Sequence, residues 1–285
     1  MRQSERSGAG EVRLKAPANA CDCHMHFFDA RFPQVPGDTR KVPDASVADY
    51  RLLQDRIGTS RVIVVQPSTY GTDNRCTLEG LARLGPTGRG VAVVDTSVTD
   101  EELRRLHALG VRGIRLNLAR AGVTTIEMLE PLASRVAELG WHVQLHAHGG
   151  TIVEIEPLLT HLAAPIVFDH MGRIPVDAGV KHPAYRVIRD LLHQGRTWVK
   201  LSGAYFESKV GPPKLSDVTP LAKALAQTAP ERMLWGSDWP HPGARQPQDD
   251  AVLFALLEEW VPDEGLRELI LVKNPEALYG FEPSS

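Results

Sequence analysis

The chain has 285 residues, of which 42% are hydrophobic and 24% are charged, and its formal net charge at pH 7 is −3. This composition is typical of a globular protein with a large core, and it argues against a general nucleic-acid-binding protein, which would carry a basic face. Nor does it supply the positive charge that would draw the chain to an anionic membrane surface. Three cysteines are too few for a disulfide framework, and no stretch of about 18 apolar residues predicts a spanning helix.

The first 17 residues are polar and of mixed charge, without the apolar segment that a secretory signal requires. We predict that residues 1–17 form a flexible tail and that residues 18–285 form one cytoplasmic domain. Although the length would also suit two domains, α/β barrels of about 250 residues commonly form a single one.

Eight short apolar runs, most of them rich in Val, Ile and Leu, follow one another along the chain. Near-continuous apolarity is typical of strands that are covered on both faces, as in a parallel sheet. In chain order, the predicted strands are Cys21–Phe27, Arg61–Gln66, Gly90–Asp95, Val111–Leu116, Trp141–Ala147, Pro165–His170, Thr197–Ser202 and Arg232–Ser237.

Helical patterns lie between these runs. Leucines recur every three residues between the second and third strands, and Ser46 with Asp49 and Thr99 with Glu102 have the spacing of capping boxes. Eight strand–helix units predict a (β/α)8 TIM barrel, with an extra C-terminal helix within 263–279. A doubly wound open sheet is the alternative.

The first predicted strand carries two histidines two residues apart, His24 and His26. Side chains at this spacing point to the same side of a strand, so both should face the barrel mouth while Met25 faces the helices. By the same alternation, Cys21 and Cys23 should face the helix layer as small apolar groups. A single buried histidine is commonly structural, but a pair at one strand end is a stronger indication of a site.

Three later strands also end in reactive side chains, which are His146, His170 and Asp238. In a (β/α)8 barrel, the carboxyl ends of the strands meet at one face and carry the chemistry. We therefore predict that these three side chains meet the two histidines of the first strand in one pocket.

These residues resemble the pattern of the amidohydrolase superfamily, which pairs His-x-His on strand 1 with histidines on strands 5 and 6 and an aspartate on strand 8. The resemblance covers nearly the whole chain, from Asp22 to the segment 274–276. The phrases DCHMHF, VQPS, GIRLN, DHMGR, KLSGAY and GSDWPHP are most similar to the branch that contains 2-pyrone-4,6-dicarboxylate hydrolase. The resemblance implies an enzyme acting on lactones, since that branch also includes sugar-acid lactone isomerases and muconolactone hydrolases.

One departure from the superfamily pattern concerns metal binding. Two-metal members carry a carboxylated lysine or a glutamate at strand 4, where this chain has Arg115 and Asn117. Because a guanidinium is permanently charged and cannot ligate a metal, we expect no binuclear centre. The resemblance points to a branch whose best-known member works without metal, so no cofactor is the favoured prediction. The alternative is one zinc or manganese ion, with the ligands His24, His26, His170 and Asp238.

The predicted reaction is the hydrolysis of a carboxylated lactone, derived from a sugar acid or an aromatic compound. Asp238 would be the general base toward water, and His24, His26 and His170 would stabilise the charge that develops on the carbonyl oxygen. Arginine binds carboxylates through paired hydrogen bonds, which makes Arg115 the first candidate for substrate binding. The predicted substrate-binding residues are Arg115, Asn117, Ser68, Tyr70, His146, Arg173 and Tyr205.

Three other functions compete with this one. A lactone isomerase acting on an aldarolactone such as a galactarolactone would use a substrate hydroxyl in place of water. A metal-dependent decarboxylase and a barrel that only binds ligands are the other two. The expected partner is a small acidic lactone, with neither nucleic acid nor membrane, and homo-oligomerisation is left open.

Overall fold

The computed structural model describes residues 12–40, 43–120 and 122–283. All eight predicted strands are present, and they form one parallel sheet in the order in which they occur along the chain. The strands are β1 Cys21–Met25, β2 Arg61–Val65, β3 Gly88–Ala92, β4 Val111–Asn117, β5 His142–His146, β6 Ile166–Phe168, β7 Thr197–Leu201 and β8 Met233–Trp235. Strand β3 begins two residues before its predicted start.

The sheet closes on itself just beyond the end of β8. The backbone N–H of Asp238 donates to the carbonyl of His24 at 2.7 Å, and that of His26 donates to the carbonyl of Trp239 at 2.8 Å. These bonds join the first strand to the chain that follows the last one. The fold is therefore the predicted (β/α)8 barrel, and the open-sheet alternative is wrong.

Helices surround the barrel and supply its outer core. They are α1 Val47–Ile57, α2 Arg75–Leu84, α3 Asp100–Ala108, α4 Leu129–Ala137, α5 Gly149–Glu154, α6 Glu156–Leu159, α7 Pro183–His193, α8 Thr219–Thr228, α9 Asp250–Trp260, α10 Glu264–Glu268 and α11 Asn274–Tyr279. The capping box of Ser46 and Asp49 is confirmed. Thr99 caps α3, whereas Glu102 pairs with Arg105. The extra C-terminal helix is present as α10 and α11, joined by a π-helical turn.

Strand β1 contains a bulge that sequence alternation did not predict. Asp22 pairs with Val62 and Met25 with Val64, so β1 has one residue more than β2 between these pairs. Asp22 points outward and accepts a hydrogen bond from Tyr50 of α1 at 2.9 Å.

The bulge places both Cys23 and the next residue, His24, on the inner side of the barrel. Cys21 and Cys23 lie in an apolar cluster made by strand residues and closed by Tyr279 and Phe281. The prediction that the two cysteines face the helix layer is therefore wrong, because the extra residue interrupts the period of two.

The predicted N-terminal tail lies mostly outside the described residues, which begin at residue 12. At its described end, the N–H of Ala16 donates to the carbonyl of Ile57 at 3.2 Å. Among the described helices, none combines the length and the apolar character that crossing a membrane demands.

Candidate active site

The four predicted catalytic side chains converge at the carboxyl ends of β1, β6 and β8. Oδ1 of Asp238 lies 3.4 Å from Nε2 of His24, 3.3 Å from Nε2 of His26 and 3.9 Å from Nε2 of His170. All four side chains are buried. Residues from three strand ends, between positions 24 and 238, thus direct three ring nitrogens at a single carboxylate oxygen.

Backbone turns with positive φ aim two of these groups. His170 has φ 50° and Asp238 has φ 60°, in the left-handed region that side chains seldom adopt and that is frequent at functional sites. Two glycines make room for the cluster. A Cβ on Gly203 would lie 2.6 Å from Nδ1 of His170, and one on Gly236 would lie 2.6 Å from Cβ of His24. The turns and glycines let the strand ends pack this closely.

Asp169 lies below the cluster, and its carboxylate contacts three buried basic side chains. Its carboxylate is 3.1 Å from Nδ1 of His24, 2.9 Å from Nε of Arg115 and 3.7 Å from Nζ of Lys200. Burial alone would raise the pKa of this carboxyl, but these three partners lower it well below the usual range. Asp169 is therefore ionised and compensates two buried cations. Lys200 also donates to Oε1 of Gln144 at 2.6 Å.

Burial controls the protonation of the central groups. It lowers the pKa of His24 well below 6.5, and that of His170 to about 4. For Asp238, burial raises the pKa, but His170, His26 and His24 outweigh it and hold the value well below 3.8. Burial and the neighbouring Asp238 raise the pKa of Tyr205 well above 10. At neutral pH, Asp238 is a carboxylate and Tyr205 keeps its proton.

The cluster has the donor chemistry of a divalent metal site. Ligand atoms of His24, His26 and Asp238 all lie within 4.8 Å of one another, and so do those of His24, Asp169 and His170. Nε2 of His24 is buried and has no hydrogen-bond partner among the described residues. Nδ1 of His26 donates to the carbonyl of Val65 at 2.7 Å, so a neutral His26 directs an Nε2 lone pair at Asp238. Imidazole nitrogen with carboxylate oxygen is a common donor set for zinc.

A cavity of about 460 Å³ opens above the cluster, and six basic side chains lie in its wall. Its basic side chains are Arg40, Arg115, Arg120, Arg173, Lys209 and Arg245, against the carboxylates of Asp238 and Glu207. Six of the seven predicted substrate-binding residues line this cavity, namely Ser68, Arg115, Asn117, His146, Arg173 and Tyr205. Four of the basic groups already have a carboxylate partner: Arg40 pairs with Asp38, Arg115 with Asp169, Arg173 with Glu207 and Lys209 with Asp177. Arg120 and Arg245 form no ion pair with a described residue.

A second cavity of about 520 Å³ adjoins the first. The two share the side chains of Arg40, Ser68, Arg115, Asn117 and Arg120. The far wall is partly apolar, with valines at 35, 93 and 123. The combined space is long and carries arginines where its two parts meet.

The prediction for Tyr70 is corrected. This side chain is buried beneath the loop after β1 and lines neither of the two cavities. Its hydroxyl accepts from the N–H of Asp29 at 2.9 Å and donates to the carbonyl of the same residue at 3.0 Å. Both hydrogen bonds tie two loops together, so Tyr70 has a structural role.

His146 lies between two guanidinium groups and outside the cluster of converging imidazoles. Its Nδ1 is 3.1 Å from Nη2 of Arg115, and its Nε2 is 3.1 Å from Nη1 of Arg173. Burial and the charge of Arg115 lower its pKa well below 6.5. A neutral ring in this place separates the arginines. His146 lines the cavity, and its part in substrate binding stays a prediction.

Sequence reasoning assigned no role to Asp169, Arg40, His241 or Asp250. Asp169 and His241 are part of the quoted phrases DHMGR and GSDWPHP, so their motifs were a usable signal. Arg40 and Asp250 are in no such phrase. Only the folded chain brings Arg40 to the cavity and Asp250 to His241.

The buried His142 makes a testable contribution to acid sensitivity. Neither of its ring nitrogens has a hydrogen-bond partner among the described residues, and burial, assisted by the charge of Lys200, lowers its pKa to about 3. Below pH 6.5 the unfolded chain takes up this proton while the folded chain does not, so stability is lost as the pH falls. Between pH 7 and pH 5 the loss should be about 2 kcal/mol.

Replacing His142 by leucine should remove that part of the pH dependence, measured as the free energy of unfolding in urea at the two pH values. The variant His193→Gln, at an exposed position on α7, is the control and should behave as the wild type does. An unchanged pH dependence in His142→Leu would contradict this interpretation.

The closed barrel and the histidine–aspartate cluster at the carboxyl ends of its strands define a (β/α)8-barrel enzyme. A family model described as Amidohydrolase matches residues 21–281. The chain belongs to the amidohydrolase family, which confirms the resemblance seen in its motifs.

Curated relatives cover nearly the whole chain. It is 35% identical to a 4-sulfomuconolactone hydrolase of Rhizobium radiobacter, over 98% of this chain and 95% of the relative. It is also 35% identical to a 2-pyrone-4,6-dicarboxylate hydrolase of Comamonas testosteroni, over 94% and 92% of the two chains. A D-galactarolactone isomerase of Agrobacterium fabrum is 32% identical, over 94% and 93%.

Solved structures agree with the fold. An apo crystal structure from Agrobacterium tumefaciens has a TM-score of 0.87 at 30% identity, covering 98% of this chain and 99% of that chain. An amidohydrolase from Burkholderia multivorans with bound zinc has a TM-score of 0.73 at 18% identity, over 93% and 100%. The second likeness concerns the fold alone, and the zinc is a feature of that protein.

Proposed function

We propose that this protein hydrolyses a lactone that carries one or more carboxylates. The observation that carries the proposal is the placement of Asp238. One oxygen of this carboxylate faces three imidazoles, and five arginines lie in the wall of the cavity above. The hydrolases among the relatives are named for lactone-type substrates, and one of these is a dicarboxylate.

Asp238 is the general base of the proposed reaction. Its ionised carboxylate takes a proton from water as the water oxygen attacks the lactone carbonyl carbon. The proton returns to the ring oxygen when the ester C–O bond breaks, which leaves a hydroxy acid or its keto tautomer. His24, His26 and His170 surround the carbonyl oxygen and offset its negative charge.

The site needs positive charge beside Asp238. Because the Nδ1 proton of His26 is committed to Val65, Nε2 faces the Asp238 carboxylate either with a second proton or across a cation. No metal is the prediction from sequence, and one divalent ion is the alternative. If bound, the ion would be held by His24, His26, His170 and Asp238 and would supply Lewis acidity toward the carbonyl. Elemental analysis of the purified protein, followed by chelation, distinguishes the two.

The substrate's carboxylate would bind at Arg115. Nε of this arginine is paired with Asp169 and Nη2 contacts His146, whereas Nη1 has no hydrogen bond to any described residue. Asp169 thus fixes the guanidinium from behind while its other edge remains available to a ligand. The adjoining cavity offers space for a second substituent, with Arg40 and Arg120 at the junction.

Substituting lysine for Arg115 should raise KM for a carboxylated lactone by at least about tenfold, because lysine keeps the charge beside Asp169 but loses the planar pair of donors. KM for an uncharged lactone should change little. Steady-state kinetics on the two substrates measure this difference. The control is Arg105→Lys, in the exposed pair with Glu102. Equal increases in KM for both lactones would exclude Arg115 as the carboxylate-binding residue.

Isomerisation is the second candidate, because one relative is named a D-galactarolactone isomerase. In that reaction a hydroxyl of the substrate would replace water as the attacking group. A panel of acidic lactones should be incubated in heavy-oxygen water and the products analysed by mass spectrometry. One heavy oxygen in the product supports hydrolysis, a rearranged unlabelled lactone supports isomerisation, and no turnover of any lactone overturns the proposal. Release of carbon dioxide would instead indicate a decarboxylase.

A further inference from the structure

Asp238 is the first of four polar side chains that form a hydrogen-bonded network leading away from the three imidazoles. Tyr205, in the turn after β7, donates its hydroxyl proton to Oδ2 of Asp238. Nδ1 of His241 lies 3.4 Å from that hydroxyl, and Nε2 of His241 lies 2.9 Å from Oδ1 of Asp250, the first residue of α9. Asp238, His241 and Asp250 are 1%, 8% and 0% exposed. The network therefore connects the proposed base to the outer helix layer through the barrel wall.

The available donors determine the direction of every hydrogen bond in this network. The carboxylates of Asp238 and Asp250 only accept, so Tyr205 donates to the first and His241 donates from Nε2 to the second. Since the one hydroxyl proton of Tyr205 is used, its oxygen accepts from Nδ1–H of His241. The ring of His241 thus carries both protons and is charge-balanced by the carboxylate of Asp250.

The two oxygens of Asp238 consequently have different surroundings. Oδ2 is held by Tyr205, and only Oδ1 is directed at Nε2 of His24, His26 and His170. A carboxylate rotates readily about its last torsion, whereas a general base has to stay within about 0.5 Å of its productive position. The backbone N–H of His241 also donates to the carbonyl of Asp238 at 2.7 Å. His241 thus holds the main chain of Asp238 directly and its side chain through Tyr205.

We propose that His241 and Asp250 are positioning residues, which act through Tyr205 to hold the Asp238 carboxylate with Oδ1 toward the imidazoles. This inference rests on the proposed function in that it takes Asp238 as the base. Neither His241 nor Asp250 contacts the cavity, so their effect belongs to kcat and leaves substrate binding unchanged.

The kinetic test uses Asp250→Asn, Tyr205→Phe and the double variant with the best lactone of the panel. Each single variant should lower kcat by at least about tenfold. KM should stay within about twofold for Asp250→Asn. If Asp250 acts through Tyr205, adding Asp250→Asn to Tyr205→Phe should lower kcat no further. Effects that multiply would mean independent structural roles and would overturn the proposal.

The matched control is Asp249→Asn, one residue earlier at the start of α9. Its side chain accepts from the N–H of Ala251, a capping role that asparagine also fills. It also pairs with Arg56 of α1 at 2.9 Å, so the variant can lose some stability, but this pair does not contact Tyr205 or His241. Its kcat should stay within about twofold of that of the wild type. A loss as large as that of Asp250→Asn would show that any change at this helix start disturbs the site, and would also overturn the proposal.

Crystal structures of Tyr205→Phe and Asp250→Asn test the positioning without any substrate. In both, the Asp238 carboxylate should rotate, so that Oδ1 leaves its place opposite the three imidazoles. An unrotated carboxylate in both structures rejects the inference even if the lactonase activity is real. Conversely, a wild-type protein that opens no lactone rejects the proposed function, while the two structures still decide the positioning.

Discussion

Replacing Asp238 by asparagine should lower kcat for lactone hydrolysis by about a thousandfold, because a general base contributes between about 10² and 10⁴. Asparagine keeps the size of the side chain and can still accept from Tyr205, but its amide cannot take a proton from water. The expected loss is therefore chemical, and the affinity for a carboxylated ligand should be retained. Steady-state kinetics and ligand titration of the same preparation measure the two quantities.

The matched control for this variant is Asp263→Asn. Asp263 caps α10 on the outside of the barrel through the N–H of Leu266, and asparagine is an equally good cap. Its kcat should equal that of the wild type. If Asp238→Asn keeps activity within about tenfold of the wild type, another group is the base.

Replacing Asp169 by asparagine should lower the free energy of unfolding by about 3 kcal/mol, since it leaves two buried cations without their counter-charge. Arg115 and Lys200 are both almost fully buried, and each lies within 4 Å of this carboxylate. His24 would also lose the carboxylate that orients its ring through Nδ1, so activity should fall together with stability. Urea unfolding at neutral pH measures the first effect.

Two comparisons make the Asp169 result specific. Asp177→Asn removes a carboxylate from an ion pair whose side chains are 66% and 67% exposed, so it should cost no more than about 0.5 kcal/mol. Combining Asp169→Asn with Arg115→Met should recover part of the lost stability, because it removes one of the uncompensated charges. A loss below about 1 kcal/mol for Asp169→Asn, or no recovery in the double variant, contradicts the role of Asp169 as counter-charge.

The strands were predictable because each is covered on both faces, which leaves a near-continuous apolar run in the sequence. The order of the strands followed from the alternation of strands with helices. The bulge in β1 was not predictable, because nothing in the run CDCHMH marks where the alternation slips. The slip depends on pairing with β2, and it reverses the direction in which Cys23 was expected to point.

The meeting of His24, His26, His170 and Asp238 was also predictable, since parallel strands that close into a barrel bring all their carboxyl ends to one face. The prediction for Tyr70 was wrong because strand position does not fix a loop side chain. Tyr70 also follows a strand, but the loop beyond that strand turns its hydroxyl toward the backbone of Asp29. Position after a strand does not determine the direction of a loop side chain, because the packing of neighbouring loops does.

The amino-acid sequence by itself determined the barrel, the family and the side chains that gather at the mouth, because periodic apolarity and strand-end motifs are local properties. Only the tertiary structure decided how those side chains are held. The balance of Arg115 and Lys200 against Asp169, and the connection of Asp238 through Tyr205 and His241 to the start of α9, join elements far apart in the chain. Such contacts depend on distances of a few ångströms between separate loops, and no local pattern encodes those distances.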